Sequence, residues 1–274
     1  MGFSIRTNVG SLNAQRNLFN SQSSLDDSFS KLSSGFRITK AGDDAAGLGI
    51  SVNLTAQIRS FNQANRNAQD AQSLIQTAEA NLNQTTELLT RMRELAMQSA
   101  SSGVGNTERG YIQTENTALI TEIDRIANSA EYNGQALLNS ATSLTFQVGI
   151  RNVVANDRIS VSTVDATSTT LGVGTLDLST QANSQAALAT IDTALQTVSS
   201  ARAGFGAAGN RLSSVIQSIQ GSAESLSAAN SRIRDVDVAE ETSRMARTQV
   251  MMQAGISVLA QANQAPQVAL KLLG

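Results

Sequence analysis

From Phe61 to Ala96 apolar residues recur in alternating steps of three and four, at positions 61, 64, 68, 71, 75, 78, 82, 89, 92 and 96, and only Thr85 breaks the series. About five heptads of this spacing define the narrow seam of a coiled coil rather than the broad stripe of a surface helix. A helix of that length is about 54 Å long and needs an equally long partner to cover its seam. The same spacing returns at Leu188, Ile191, Leu195, Val198, Phe205, Leu212, Ile216, Ile219, Ala223, Leu226 and Ile233, interrupted by Arg202, Gly209 and Asn230. This second rod is about 69 Å long if straight. Two rods of one period in one chain predict a mainly α fold, a long antiparallel coiled-coil helix bundle.

Between the rods the pattern changes. A shorter helix is predicted from about Thr107 to Ala130, with Tyr111, Leu119, Ile123, Ile126 and Ala130 on one face, followed by a turn at "EYNGQ". The period then drops to two: Leu144, Phe146, Val148 and Ile150 alternate in "LTFQVGI", and Ile159, Val161 and Thr163 in "RISVSTV". These read as a small β-hairpin insert, too short to be an independent domain. The stretch "STTLGVGTLDLST" fits a further strand or a loop. Both ends are helical and expected to pair. Leu18, Leu25, Phe29, Leu32 and Phe36 line one side of the first segment, and Met245, Met252, Ile256, Leu259, Leu270 and Leu273 form a similar stripe in the last. A two-helix hairpin still leaves much of that surface wet, so the termini are expected to order only when many chains pack together.

Composition narrows the function. Only 3 % of residues are aromatic, and much of the apolar fraction is Ala, which suits helices packed closely side by side. With 20 basic and 22 acidic residues there is no cationic field to attract nucleic acid. No apolar run reaches the roughly 20 residues of a membrane span, and the start "MGFSIRTNVG" lacks the apolar centre of a signal peptide. The absence of Cys and His removes thiolate ligands, the commonest metal ligand and the commonest general base. Neither a cofactor nor catalysis is expected, and the acid pairs Asp43–Asp44 and Glu240–Glu241 read as helix caps or solvated charges. Around the first pair, "ITKAGDDAAGLGISVN" is read as a joint: Asp43 or Asp44 caps the following helix, and Gly42 takes the backbone angles of a helix end.

Several segments carry a resemblance. "SLNAQRNL", "KLSSGFRITKAGDDAAGLGIS", "LLTRMRELAMQSASSG", "TEIDRIANSAEYNGQALL" and "NQAPQVALKLLG" resemble bacterial flagellin, over about residues 1 to 150 and 185 to 274. The resemblance implies a structural, non-enzymatic subunit of the extracellular flagellar filament, secreted unfolded through a type III apparatus and serving swimming motility. Residues 1–44 and 235–274 would form the inner tube, and 45–137, the insert 138–179 and 180–234 the rod domain around it. The implied partners are further copies of the chain, an export chaperone, the filament cap and hook-associated proteins, with no nucleic acid and no membrane. By the same resemblance "TRMRELAMQS" and "YIQTENTALI" correspond to a surface bound by a vertebrate innate immune receptor, with Arg91, Leu95 and Glu115 as contacts and Thr90 where the family pattern has Gln. Phe29 to Ile50 corresponds to the peptide sensed by plants, with Gly42 in place of its lysine. A hook–filament junction protein and a soluble signalling coiled coil are the two other readings of the same pattern.

Overall fold

The computed structural model describes residues 7–273, with side chains to Gln264. In chain order the elements are α1 (Val9–Ser34), α2 (Ala45–Ser99), α3 (Asn106–Ser129), β1 (Glu131–Tyr132), β2 (Gln135–Ala136), β3 (Ser143–Gln147), a single turn α4 (Val154–Asp157), β4 (Arg158–Ser162), α5 (Gln181–Arg234) and α6 (Val238–Leu273). Helices α2 and α5, of 55 and 54 residues, are each about 80 Å long. The chain divides into two compact units: one built from the chain up to Ala56 and from Ser225 onward, the other from Gln57 to Glu224.

In the second unit the predicted seam of α2 is the core. Ala64, Ala68, Ala71, Ile75, Ala78, Leu82, Leu89, Met92 and Ala96 are all buried, with Phe61 packed against them. Thr85 does not break the seam. It is buried, and its hydroxyl donates to the carbonyl of Asn81 at 3.1 Å, one turn back on the same helix. A hydroxyl satisfied in this way occupies a core position without a stranded polar group. Two ion pairs flank the α2–α5 packing, Arg93 with Asp192 at 2.6 Å and Arg202 with Glu79 at 3.9 Å.

Along the first half of α5 the seam differs from the predicted frame. Ser184, Ala187, Ile191, Ala194 and Val198 are buried, whereas Leu188 and Leu195 are half-buried. Small residues take alternate seam positions, and the leucines one residue later close the flank, because the core here joins α2, α3, α5 and the insert and so needs a stripe broader than a two-helix seam. The inward face of α3 differs as well. Ile112, Asn116, Ile123, Ile126 and Ala127 are buried, while Tyr111 is 72 % exposed. Arg109 is also buried: its guanidinium donates to the carbonyl of Ser99, the last residue of α2 (3.0 Å), and to that of Ser101 in the turn that follows (2.9 Å).

The insert contains two antiparallel pairs. β1 and β2 meet across Asn133–Gly134, whose φ of 52° and 76° match the I′ turn that suits strand twist. β3 pairs with β4 from Ser143↔Ser162 to Gln147↔Arg158. The stretch left open between strand and loop is a loop, docked by polar side chains of α3. Gln113 accepts from the Leu178 N–H at 2.6 Å, Asn116 donates to the Leu176 carbonyl at 3.2 Å, and Asp124 accepts from Ser168 N–H and hydroxyl, both at 2.8 Å. Leu171, Val173 and Leu178 are buried beneath it.

Candidate functional site

The first unit carries the joint and the paired termini. Helix α1 ends at Gly35, whose φ of 74° is left-handed and whose N–H returns to the Lys31 carbonyl at 2.9 Å. The helix-ending glycine is therefore Gly35. Gly42, expected in that role, lies instead in the turn closed by Asp43 N–H on the Lys40 carbonyl at 3.1 Å, and its φ is not left-handed. The two acids face different ways. Asp44 Oδ1 accepts from the Gly47 N–H at 2.8 Å in the first turn of α2. A Cβ on Gly47 would collide with that carboxylate and lie 2.9 Å from Cδ1 of buried Ile38, so a side chain there would have to displace the cap.

Asp43 instead closes the loop behind it, its Oδ2 accepting from Lys40 N–H (3.0 Å), Thr39 N–H (2.9 Å) and the Thr39 hydroxyl (3.0 Å). The Lys40 and Thr39 amides, with the Thr39 hydroxyl, favour the charged form and lower the carboxyl from 3.8 to about 2. A depressed carboxyl stabilises the joint fully above its unfolded value of 3.8, and that contribution is lost as pH falls through about 2. Protection of the Thr39 and Lys40 amides, taken relative to their intrinsic exchange rates, is accordingly expected to fall on acidification through this window. Asp43→Asn, which cannot titrate, is expected to remove that pH dependence.

The second joint is shorter. Asp237 caps α6, accepting from Ala239 N–H (2.9 Å) and Glu240 N–H (3.1 Å), so three residues link α5 to α6.

Helices α1 and α6 come within 8 Å of each other at their Cα atoms. The face that α1 presents to α6 is a heptad seam of small and medium residues: Ser11, Ala14, Leu18, Ser21, Leu25, Ser28 and Leu32 are all buried or half-buried. The answering face of α6 is Glu241, Met245, Thr248, Met252, Gly255, Leu259 and Ala262. The Ser28 hydroxyl donates to Glu241 Oε1 at 2.6 Å, both residues buried, and Leu18 Cδ1 would sit 3.3 Å from a Cβ on Gly255.

The structure thus divides the predicted terminal stripes. Leu18, Leu25, Leu32, Met252 and Leu259 lie in this intrachain seam, and Phe36 lies in the linker after α1. Phe29 and Ile256 lie outside the seam, 68 % and 53 % exposed. The side chains of Leu270 and Leu273 lie outside the described ones. Beside Phe29 and Ile256, the unit exposes Val9, Leu12, Phe19, Ile50, Val52, Val238, Val250, Met251 and Val258. Isolated exposed apolar residues are ordinary, but this many on one small unit mark a surface meant to be covered. Sequence reasoning missed most of them because they fall beside the counted stripe.

In the second unit Arg91 and Glu115 are brought together, Arg91 donating through Nε at 2.9 Å while its other arm reaches Glu94 at 3.0 Å. These charges are exposed. Leu95 does not join them at the surface. It is 2 % exposed, packed in the rod core, and so supplies support rather than contact area.

Long paired helices and, among the described residues, an open apolar face are the features that a subunit of a helical polymer requires. Residues 5–143 match the bacterial flagellin N-terminal helical region, and residues 188–273 match the bacterial flagellin C-terminal helical region. The chain is 40 % identical over 286 residues to the flagellar filament 33 kDa core protein of Treponema phagedenis, covering 98 % of this chain and 99 % of that one. It is also 40 % identical over 304 residues to a flagellin of Bacillus subtilis, with the same coverage. Its fold matches the crystal structure of Bacillus cereus flagellin with a TM-score of 0.50 at 31 % identity, covering 56 % of this chain and 88 % of the other. The chain belongs to the bacterial flagellin family. It is a structural, non-enzymatic protein of the flagellar filament.

Proposed function

We propose that the chain polymerises by burying the open apolar face of its first unit between copies, the terminal segments 1–44 and 235–274 forming the inner tube and the rods and insert the layer outside. The observation that supports this most is the concentration of uncovered Phe, Val, Ile, Leu and Met on α1 and α6, whose intrachain seam holds smaller and more polar residues. A contact between different faces of successive copies does not close into a dimer and so propagates a helix of subunits. Export precedes assembly. The chain passes unfolded through the type III apparatus, which its lack of cysteines suits, since no disulfide obstructs threading. An export chaperone shields the terminal apolar residues on the way, and the filament cap and hook-associated proteins receive the subunit at the distal end. The exposed Arg91–Glu115 pair is the surface offered to an innate immune receptor, with Leu95 as packing beneath it.

Deletion of residues 1–35 or 240–274 tests the reading. Either truncated chain is expected to keep a soluble, helical rod unit and to add nothing to filament seeds. Filaments of normal length from such a chain would overturn it.

A further inference from the structure

The α1–α6 seam is nearly blind to a shift of one heptad. Leu18, Leu25 and Leu32 stand seven apart, and so do Met245, Met252 and Leu259, so sliding one helix by seven residues sets leucine against methionine again. The buried Ser28–Glu241 pair does not break the degeneracy, because Ser21 lies seven residues before Ser28 on the same face and would present an identical hydroxyl. At the far end Asn8 donates to the carbonyl of Ala262 at 2.8 Å, a backbone acceptor that every register offers. That leaves two features of the seam to choose among registers: the Ser11–Asn263 bond at 2.8 Å, about 1 kcal/mol net for a neutral pair, and the close approach of Leu18 to Gly255, where a slip by seven would bring Thr248. In coiled coils such choices usually fall to a polar group at one seam position, and here the seam repeats its polar groups as well.

Where the two linkers pass, the situation is different. Arg37 N–H donates to the Arg234 carbonyl at 2.6 Å, Val236 N–H to the Gly35 carbonyl at 3.0 Å, and the Arg37 guanidinium to the Ile233 carbonyl at 2.7 Å. The Arg234 guanidinium lies 4.1 Å from the centroid of the Phe36 ring. Its buried Nε has no hydrogen-bond partner, so the ring face is what holds that part of the side chain. A heptad slip would move α6 by about 10 Å along α1, close to the full reach of the three residues between α5 and α6. It would also break the Val236–Gly35 bond.

We infer that this clasp, made by Phe36, Arg37, Arg234 and Val236, sets the register in which the terminal helices pair, and that the seam supplies adhesion with only a weak preference of its own. The inference rests on the filament reading for the state in which the termini are ordered. Because the chain has no cysteine, introduced pairs report register without background. Leu18→Cys with Gly255→Cys reports the observed register, and Ser11→Cys with Gly255→Cys the one slipped by seven. Each pair is placed in the full chain and grown from filament seeds as a minor component among unaltered subunits. Closure within one chain is then read by mass under non-reducing conditions.

With the clasp intact the 18–255 pair is expected to close and the 11–255 pair to stay open. Two variants weaken the clasp: Phe36→Ala with Arg234→Ala, and a seven-residue Gly/Ser insertion after Asp235. In at least one of them closure of the 11–255 pair is expected to rise tenfold or more, whereas Ser28→Ala with Glu241→Leu keeps it within twofold of background. The inference is overturned if neither clasp variant closes the slipped pair, or if the Ser28/Glu241 variant closes it as readily. Failure of the clasp-intact chains to join filaments at all would count against the filament reading instead.

Discussion

Phe19→Asp combined with Phe29→Asp is expected to raise the critical concentration for seeded filament growth by at least a hundredfold while leaving the unfolding of the rod unit unchanged. The two rings are 75 % and 68 % exposed within the chain and lie outside the α1–α6 seam, so their replacement removes nothing that the isolated subunit uses. Burying a phenylalanine side chain stabilises by about 1.5–3 kcal/mol, so covering both between copies contributes about 3–6 kcal/mol per subunit added. At about 1.4 kcal/mol per factor of ten, that alone is roughly two to four decades in critical concentration. Each new carboxylate would also have to be dehydrated on assembly, which adds to the loss. The comparison that gives the result meaning is Arg16→Ala on the same helix, an exposed charge whose loss is expected to shift the critical concentration by less than tenfold. An unchanged critical concentration for the double aspartate variant would show that these rings face water in the filament.

The contrast between seam and open face also explains what could be read before any coordinates. The rod from Phe61 to Ala96 was legible because its spacing is regular and its residues are unambiguously apolar. Thr85 looked like a defect only because spacing does not show that a threonine can satisfy its hydroxyl on its own helix. Along α5, counting the largest apolar residue in each step selected Leu188 and Leu195, when the buried seam runs through Ala187 and Ala194. The termini show the same effect more strongly. Positions 11, 14, 18, 21, 25, 28 and 32 form a regular heptad frame, but four of the seven are Ser or Ala and escape a count of large apolar groups. Such a count gathers part of the seam and part of the open face into one stripe, as it did in placing Phe29 beside Leu25 and Leu32. The loop before α5 is undecidable from sequence for another reason: the side chains that hold it, Gln113, Asn116 and Asp124, lie 44 to 65 residues away, and no local pattern records them. At the joint, local chemistry is enough to mark an acid cap, while the cluster of glycines from Gly42 to Gly49 hides the helix-ending one, Gly35, which stands alone seven residues before it.

Leu82→Ala is expected to destabilise the rod unit by about 2–5 kcal/mol, the range for truncating a fully buried leucine where the surroundings relax only in part. Leu82 is 0 % exposed, and the neighbouring seam positions of α2 include Ala64, Ala68, Ala71 and Ala78, each contributing only a methyl group to the core. In a core of this kind the burial energy concentrates on the few large side chains, so losing one removes an unusual share of a stability of about 5–15 kcal/mol. Backbones held close by alanine layers also have little freedom to move inward and fill the space, which puts the cost toward the upper part of the range. Leu88→Ala, at a half-buried flanking position, opens no enclosed cavity and is expected to cost about 1 kcal/mol. Urea unfolding of the full chain, followed by helical circular dichroism before seeding, distinguishes the two by midpoint at constant slope. Equal midpoints would mean that the α2–α5 seam is looser than its burial implies. Because the open face lies on α1 and α6, Leu82→Ala subunits that remain folded at low temperature are expected to grow filaments at the unaltered critical concentration, separating the stability of the rod from the adhesion of the tube.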